Sequence, residues 1–115
     1  MKEYGLMNEY GSLLKSNGRF ILKFERFFPH HCEDVFRIIT NAKYFSQWYP
    51  FATGEMELTV GGKIYFDDGE GTTYEGIITE LEEPYVFEFR EVEDLINISL
   101  QEENKGSRMT FMHTF

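Results

Sequence analysis

The chain has 115 residues, 12 of them Phe and 7 Tyr, and a formal net charge of −9. That length allows one hydrophobic core and not two, and so much aromatic surface means the core or a cavity is built largely of rings. The negative balance excludes a nucleic-acid footprint and an anionic membrane surface, both of which need a cationic face. The charge is uneven: residues 55–115 hold 15 acids and 4 bases, residues 1–54 hold 5 acids and 7 bases. An acidic sheet face of this kind serves solubility first and a basic protein partner second.

Cys32 is the single cysteine, so no intramolecular disulfide is available and a reducing compartment is expected. Residues 1–12 show no apolar leader and no stretch reaches the length of a membrane span, which points to a cytoplasmic protein. The expected organisation is one domain over 1–115, with residues 1–9 a flexible extension.

In chain order, Asn17-Gly18 is a tight-turn pair, so 10–16 is expected to fold back on a long strand over 19–28. On that strand Phe20, Leu22 and Phe24 share a face, while Phe27-Phe28 breaks the alternation and suggests a bulge. Pro29 ends the strand. Val35, Phe36, Ile38 and Ile39 then recur as one side of a helix over 32–40, with Glu33 and Asp34 in the first turn. Asn41 is placed to stop this helix and cap the next, which carries Tyr44, Phe45, Trp48 and Tyr49 up to Pro50.

Six strands follow, expected at 56–60, 63–68, 73–81, 85–92, 95–101 and 107–115, separated by Gly-, Asp- and Glu-rich turns. Phe87 and Phe89 oppose Glu88 and Arg90. Ile96, Ile98 and Leu100 oppose Asn97, Ser99 and Gln101, and Met109, Phe111, His113 and Phe115 oppose Arg108 and Thr110. The register near Gly61-Gly62 is open, because Met56/Leu58/Val60 and Ile64/Phe66 cannot all face inward without a bulge. The fold class is α+β: a curved antiparallel sheet carrying two short helices.

The chemistry-bearing residues do not assemble into a catalytic constellation. His30-His31-Cys32 places adjacent ligands in different directions, so it reads as the turn that starts a helix rather than as a metal site. Asp67-Asp68 and Glu82-Glu83 project oppositely and read as solvated turn acids. Gly61-Gly62 and Gly69-Glu70-Gly71 are turns with no helix behind them to make a phosphate loop. Cys32 lacks an activating group of known position. No metal and no cofactor is expected, and an enzymatic role has little support.

Phe24-Glu25-Arg26, Val35-Phe36, Trp48-Tyr49-Pro50, Gly61-Gly62-Lys63, Tyr74-Glu75-Gly76 with Glu80 and Pro84, Ser107-Arg108-Met109, and Phe111 with His113-Thr114-Phe115 are spaced in a recognisable way. In these pieces, over residues 20–115, the chain resembles the Bet v 1-like or START-like superfamily, and within it bacterial proteins of the Hsp90-ATPase-activator-homologue type. It departs from that pattern at Phe36 and Arg90, where the family often has Trp, and at His31-Cys32, where it often has Pro-Pro. The resemblance implies a helix-grip fold, a curved sheet around a long C-terminal helix with an apolar cavity between them. The sequence stops at Phe115, where a linker and that helix would begin. The concave face is then expected to lie partly open, covered by a second copy, by the N-terminal hairpin or by a helix outside this sequence.

The function this implies is non-enzymatic binding of a small apolar or amphipathic ligand. The expected lining is Phe36, Phe45, Trp48, Phe51, Tyr74, Phe87, Phe89, Ile98, Met109, Phe111 and His113, with Tyr74 and His113 as polar anchors. The alternative is a protein-interaction module resembling the Hsp90 co-chaperone activators and using the acidic sheet face. Partners are therefore a small hydrophobic ligand or a protein, with a homodimer as one way to cover the sheet.

Overall fold

A computed structural model describes residues 11–115. The expected extension over 1–9, and residue 10 of the expected hairpin, lie outside the described residues. Eight strands form one antiparallel sheet in the order β1-β2-β8-β7-β6-β5-β4-β3. They are β1 (Ser12–Ser16), β2 (Arg19–Phe28), β3 (Ala52–Met56), β4 (Lys63–Asp67), β5 (Thr73–Glu82), β6 (Val86–Glu91), β7 (Asp94–Glu103) and β8 (Gly106–Thr114). Between β2 and β3 come two short helices, α1 (Cys32–Thr40) and α2 (Ala42–Trp48).

The β1–β2 hairpin turns on Asn17 and Gly18, at φ 51° and 78°. Both angles are positive, as a two-residue turn matched to strand twist requires. β2 then pairs with β8 without interruption, from Ile21 opposite Thr114 to Phe28 opposite Ser107. The bulge expected at Phe27-Phe28 is therefore absent. Phe28 continues the inward series begun by Phe24, while Phe27 lies outside, with the Arg108 guanidinium 6.0 Å from its ring centroid. A Cβ on Gly106 would meet that ring at 2.7 Å. Phe27 thus covers a glycine across the strand pair, and this outer-face packing explains an aromatic residue that breaks the alternation.

α1 buries Val35, Phe36 and Ile39, and the Thr40 hydroxyl donates back to the Phe36 carbonyl at 2.7 Å. Asn41 Oδ1 accepts the backbone N–H groups of Lys43 at 3.0 Å and Tyr44 at 3.2 Å, capping α2 as its sequence position suggested. Phe51 at φ 68° then turns the chain into β3.

The strand expected at 56–60 is displaced. β3 ends at Met56, and residues 57–62 form a compact turn. Thr59 N–H donates to the Glu57 carbonyl and Gly62 N–H to the Thr59 carbonyl, both at 2.8 Å. A Cβ at Gly62 would fall 2.0 Å from the Glu57 carbonyl oxygen, so the turn closes only around glycine. Leu58 and Val60 consequently face solvent while Met56 packs against the core. The register question resolves as an irregularity inside β3, between Ala52 and Met56.

A second irregularity lies in β5 between Ile78 and Glu80; such sites bend strands and increase twist, and so help the sheet curve. The concave face carries Phe87 and Phe89 of β6, Ile96, Ile98 and Leu100 of β7, Met109 and Phe111 of β8, and Ile64 and Phe66 of β4. α1 and α2 close over part of it. Phe45 of α2 is 1 % exposed and meets Phe89 and Phe87 edge-on, with ring centroids 5.5 and 6.2 Å away.

Candidate functional site: an apolar cavity with a polar end

Where the helices do not reach, the concave face leaves a cavity of about 700 Å³. Its walls are Leu22, Phe24 and Phe28 of β2, Ile98 of β7 and Met109 and Phe111 of β8. Opposite them stand Ile38 and Ile39 of α1 and the segment Trp48-Tyr49-Pro50-Phe51. Trp48, Phe51 and Ile38 are exposed, so the cavity opens to solvent on their side.

Among the residues expected to line a cavity, Trp48, Phe51, Tyr74, Ile98, Met109, Phe111 and His113 do border this space. Phe36, Phe45, Phe87 and Phe89 do not. They pack with one another and with the helices as solid core, Phe87 and Phe89 being fully buried. The physical reason is that α2 lies directly on β6 through Phe45, filling the end of the concave face that those rings occupy.

Apart from Arg26, the cavity's polar groups gather at one end. Glu91, the last residue of β6, accepts the Tyr74 hydroxyl on Oε2 at 2.8 Å and the Tyr49 hydroxyl on Oε1. Tyr49 sits at the C-terminus of α2, where its N–H donates to the Phe45 carbonyl at 2.9 Å, and its ring stacks 5.2 Å from Phe45. Tyr74 is held from the other side by a stack with Phe66, centroids 5.1 Å apart. Gly76 makes room for that arrangement, since a Cβ there would meet Phe66 at 3.0 Å and the Arg90 carbonyl oxygen at 2.8 Å.

Burial, then the hydrogen bond to Glu91 and its negative charge, push the Tyr74 phenol up to about 12. The same causes in the same order hold Tyr49 still further above an ordinary phenol, with Asp94 adding to the effect. Beside this cluster, His113 Nε2 lies 2.9 Å from Asp94 Oδ2, and the imidazole packs edge-on against Phe115.

Glu91 was not among the expected lining residues. The signal for Glu91 was present: it follows Phe87 and Phe89 at a spacing of two, which puts it on their face. Arg26 also borders the cavity, on the face shared by Phe24 and Phe28, with its guanidinium 5.9 Å from the Phe24 ring centroid.

The remaining sequence candidates sit elsewhere. The His31 carbonyl accepts the Asp34 and Val35 N–H groups at 3.0 and 3.1 Å, so this stretch starts α1. Cys32 is fully buried in the first turn of α1. Burial first, then the charge of Glu102, push its thiol up, away from the reactive thiolate. Asp67 and Asp68 tie down their turn, accepting backbone N–H groups of Gly69 at 2.8 Å and of Glu70 at 2.7 Å. The backbone N–H groups of Glu70 and Thr72 hold the Asp68 carboxyl below its usual range. Among the described residues no group of three His, Cys, Asp or Glu side chains is placed to hold a metal ion. No helix among them is long and apolar enough to cross a membrane.

A strongly curved antiparallel sheet, with two short helices inserted after the strand that pairs with β8, is the architecture of the Bet v 1-like helix-grip class. Residues 29–115 match the family model described as activator of Hsp90 ATPase homolog 1-like protein, and the chain belongs to that family. No curated protein matches it. Among solved structures, it is similar to a conserved protein of unknown function, EF2215 from Enterococcus faecalis. That match has a TM-score of 0.79 at 19% identity, covering 91% of this chain and 61% of that one. CalU16 from Micromonospora echinospora follows at a TM-score of 0.65 and 14% identity, covering 91% and 66%. The Aha1 dimer from Colwellia psychrerythraea gives a TM-score of 0.64 at 14% identity, covering 81% and 74%. The chain thus spans less than two thirds of the length of the Enterococcus protein. Identities this low carry the fold and not the activity.

Proposed function

We propose that the chain is a binding module that encloses a small apolar or amphipathic molecule in the concave cavity without transforming it. The observation that supports this best is the cavity of about 700 Å³, apolar on most walls and polar at one end. Ligand sites of small molecules share that construction, with few polar groups fixing orientation and apolar walls supplying affinity. At about 25 cal/mol per Å² of apolar surface removed from water, burial of a modest ligand supports micromolar binding after the costs of association. Trp48, Phe51, Ile98, Met109 and Phe111 would supply that surface, and Tyr74 and His113 polar contacts.

Calorimetry on the purified protein with a hydrophobic dye tests this. The expected result is saturable binding with a negative heat-capacity change and little dependence on salt. A protein that takes up neither the dye nor any small molecule from its own cells, as read by native mass spectrometry, overturns it.

A second reading is a protein-interaction role through the acidic outer face. The family's description supports it, as does the gathering of Glu80, Glu82 and Glu88. There, desolvation first, then a hydrogen bond with Glu82 and repulsion from Glu88, raise the Glu80 carboxyl. Binding of a basic partner to that face would weaken as salt rises, which separates the two readings. Pairing of two copies over the open side would appear as a dimer mass in the same spectra.

A further inference from the structure

The polar end of the cavity carries a charge that its own neighbours do not neutralise. Glu91 is half-buried and borders apolar walls, and its two hydrogen-bond partners in the cavity are neutral phenols, Tyr49 and Tyr74. A carboxylate offers about four acceptor positions, so one phenol on each oxygen leaves room for further donors. Among the described residues no cation lies within ion-pair distance of Glu91. His113 is engaged by Asp94 at 2.9 Å.

Arg26, the lining arginine, is far away along the strands. It stands opposite Met109, which stands opposite Leu100 of β7, whereas Glu91 stands opposite Asp94 at the start of that strand. At about 3.3 Å per residue this is a separation of roughly 20 Å measured along β7. Asp94, held against His113, lies at the same end, where it contributes to the raised Tyr49 phenol. At this anionic spot stand the rings of Tyr49 and Tyr74, and Trp48, edge-on 5.7 Å from Tyr49, and Phe51 border the same cavity. Ring faces attract cations, and a carboxylate beside several of them is a receptor for ammonium groups.

We propose that the guest is an organic amine: its protonated nitrogen donates to Glu91 between Tyr49 and Tyr74, and its apolar remainder lies over Phe111 and Met109. This rests on the cavity-binding reading above and specifies the chemical class of guest. A neutral amphiphile would gain the same apolar contacts but leave the Glu91 charge unmatched. An anionic one would be repelled at this end and would have to reach Arg26 instead.

Three probes with one carbon skeleton decide the matter: phenylbutylamine, phenylbutanol and phenylbutanoate, titrated into the full chain at low salt. The chain's single tryptophan, Trp48, borders the cavity and reports occupancy by its fluorescence. The amine should bind about tenfold more tightly than the alcohol, with the carboxylate weakest. Glu91→Gln should bring the amine down to the alcohol's affinity and leave the alcohol within about twofold of its original value. Glu75→Gln, at an exposed carboxylate 3.3 Å from the Lys63 ammonium, should leave the ranking intact.

If alcohol and amine bind alike, if the carboxylate binds most tightly, or if the amine's advantage survives Glu91→Gln, the amine assignment is wrong while the cavity reading stands. If none of the three binds, the cavity reading falls with it. Should Glu91→Gln not fold, the ranking of the three probes on the unaltered chain still decides.

Discussion

Replacing Phe45 with alanine separates a packed core from a cavity wall. Phe45 is 1 % exposed and touches four other rings, with centroids at 5.0 Å for Trp48, 5.2 Å for Tyr49, 5.5 Å for Phe89 and 6.2 Å for Phe87. Removing a buried phenylalanine costs about 3–5 kcal/mol through lost transfer energy and the hole left behind. With this many aromatic neighbours the upper half of that range is expected. Against a total stability of about 5–15 kcal/mol for an ordinary domain, that is a large fraction. With a urea slope of about 2 kcal/mol per molar, the unfolding midpoint should fall by roughly 2 M at unchanged slope. Trp48→Ala provides the contrast. Trp48 is 39 % exposed and borders the cavity, so its loss should cost less than about 2 kcal/mol. Urea unfolding followed by far-ultraviolet circular dichroism reads both variants. Equal losses, or a loss below about 1 kcal/mol for Phe45→Ala, would mean that Phe45 faces open space and that α2 does not fill that end of the sheet.

Met109→Trp fills part of the cavity and should cost less than about 1 kcal/mol while abolishing dye binding, whereas Ile96→Trp, at a position with 0 % exposure, should cost about 1–3 kcal/mol or more. Denaturation and dye titration on the two variants check this. Alkaline pH should destabilise the fold through the tyrosines. Tyr74 is raised from 10.0 to about 12, so its contribution is complete below pH 10 and is lost as pH rises toward 12. Tyr74→Phe should flatten the alkaline limb of stability against pH, and phenolate absorbance should show Tyr74 titrating late in the unaltered protein. Asn41→Ala removes the cap of α2 and should cost about 1 kcal/mol by thermal unfolding, with Asn41→Asp restoring most of it.

Much of this architecture was legible because strand alternation encodes facing directly. Phe87/Phe89, Ile96/Ile98/Leu100 and Met109/Phe111/His113 each share the concave side as their spacing of two requires. The Asn17-Gly18 turn and the Asn41 cap were equally readable, because each depends on a local hydrogen bond or backbone angle. Alternation says which side a ring faces, however, and not what lies over it. Phe87 and Phe111 read alike in sequence, yet α2 covers the first and leaves the second beside empty space. That distinction depends on where a seven-residue helix lands across the sheet, a tertiary fact. The turn over 57–62 was hidden for a related reason. MELTV has strand-like composition, but the chain reverses there because Gly62 tolerates a carbonyl where a side chain would stand. Glu91 was overlooked although its spacing from Phe87 and Phe89 turns it inward, because an acid near a strand end ordinarily meets solvent, and it is the tyrosine partners that hold it in the cavity.

The sheet order also bears on how the chain assembles. From β3 to β8 each strand lies beside its successor, so that meander can grow by short loop closures. The seam between β2 and β8 joins segments far apart in sequence, from Ile21 against Thr114 to Phe28 against Ser107. Loop-closure entropy makes distant pairing slow. On a ribosome, β2, paired with β1 on one side only, must wait for its other partner until nearly the whole meander has emerged. Its ring-rich inner edge is therefore the surface most exposed to misassociation before the seam is sewn.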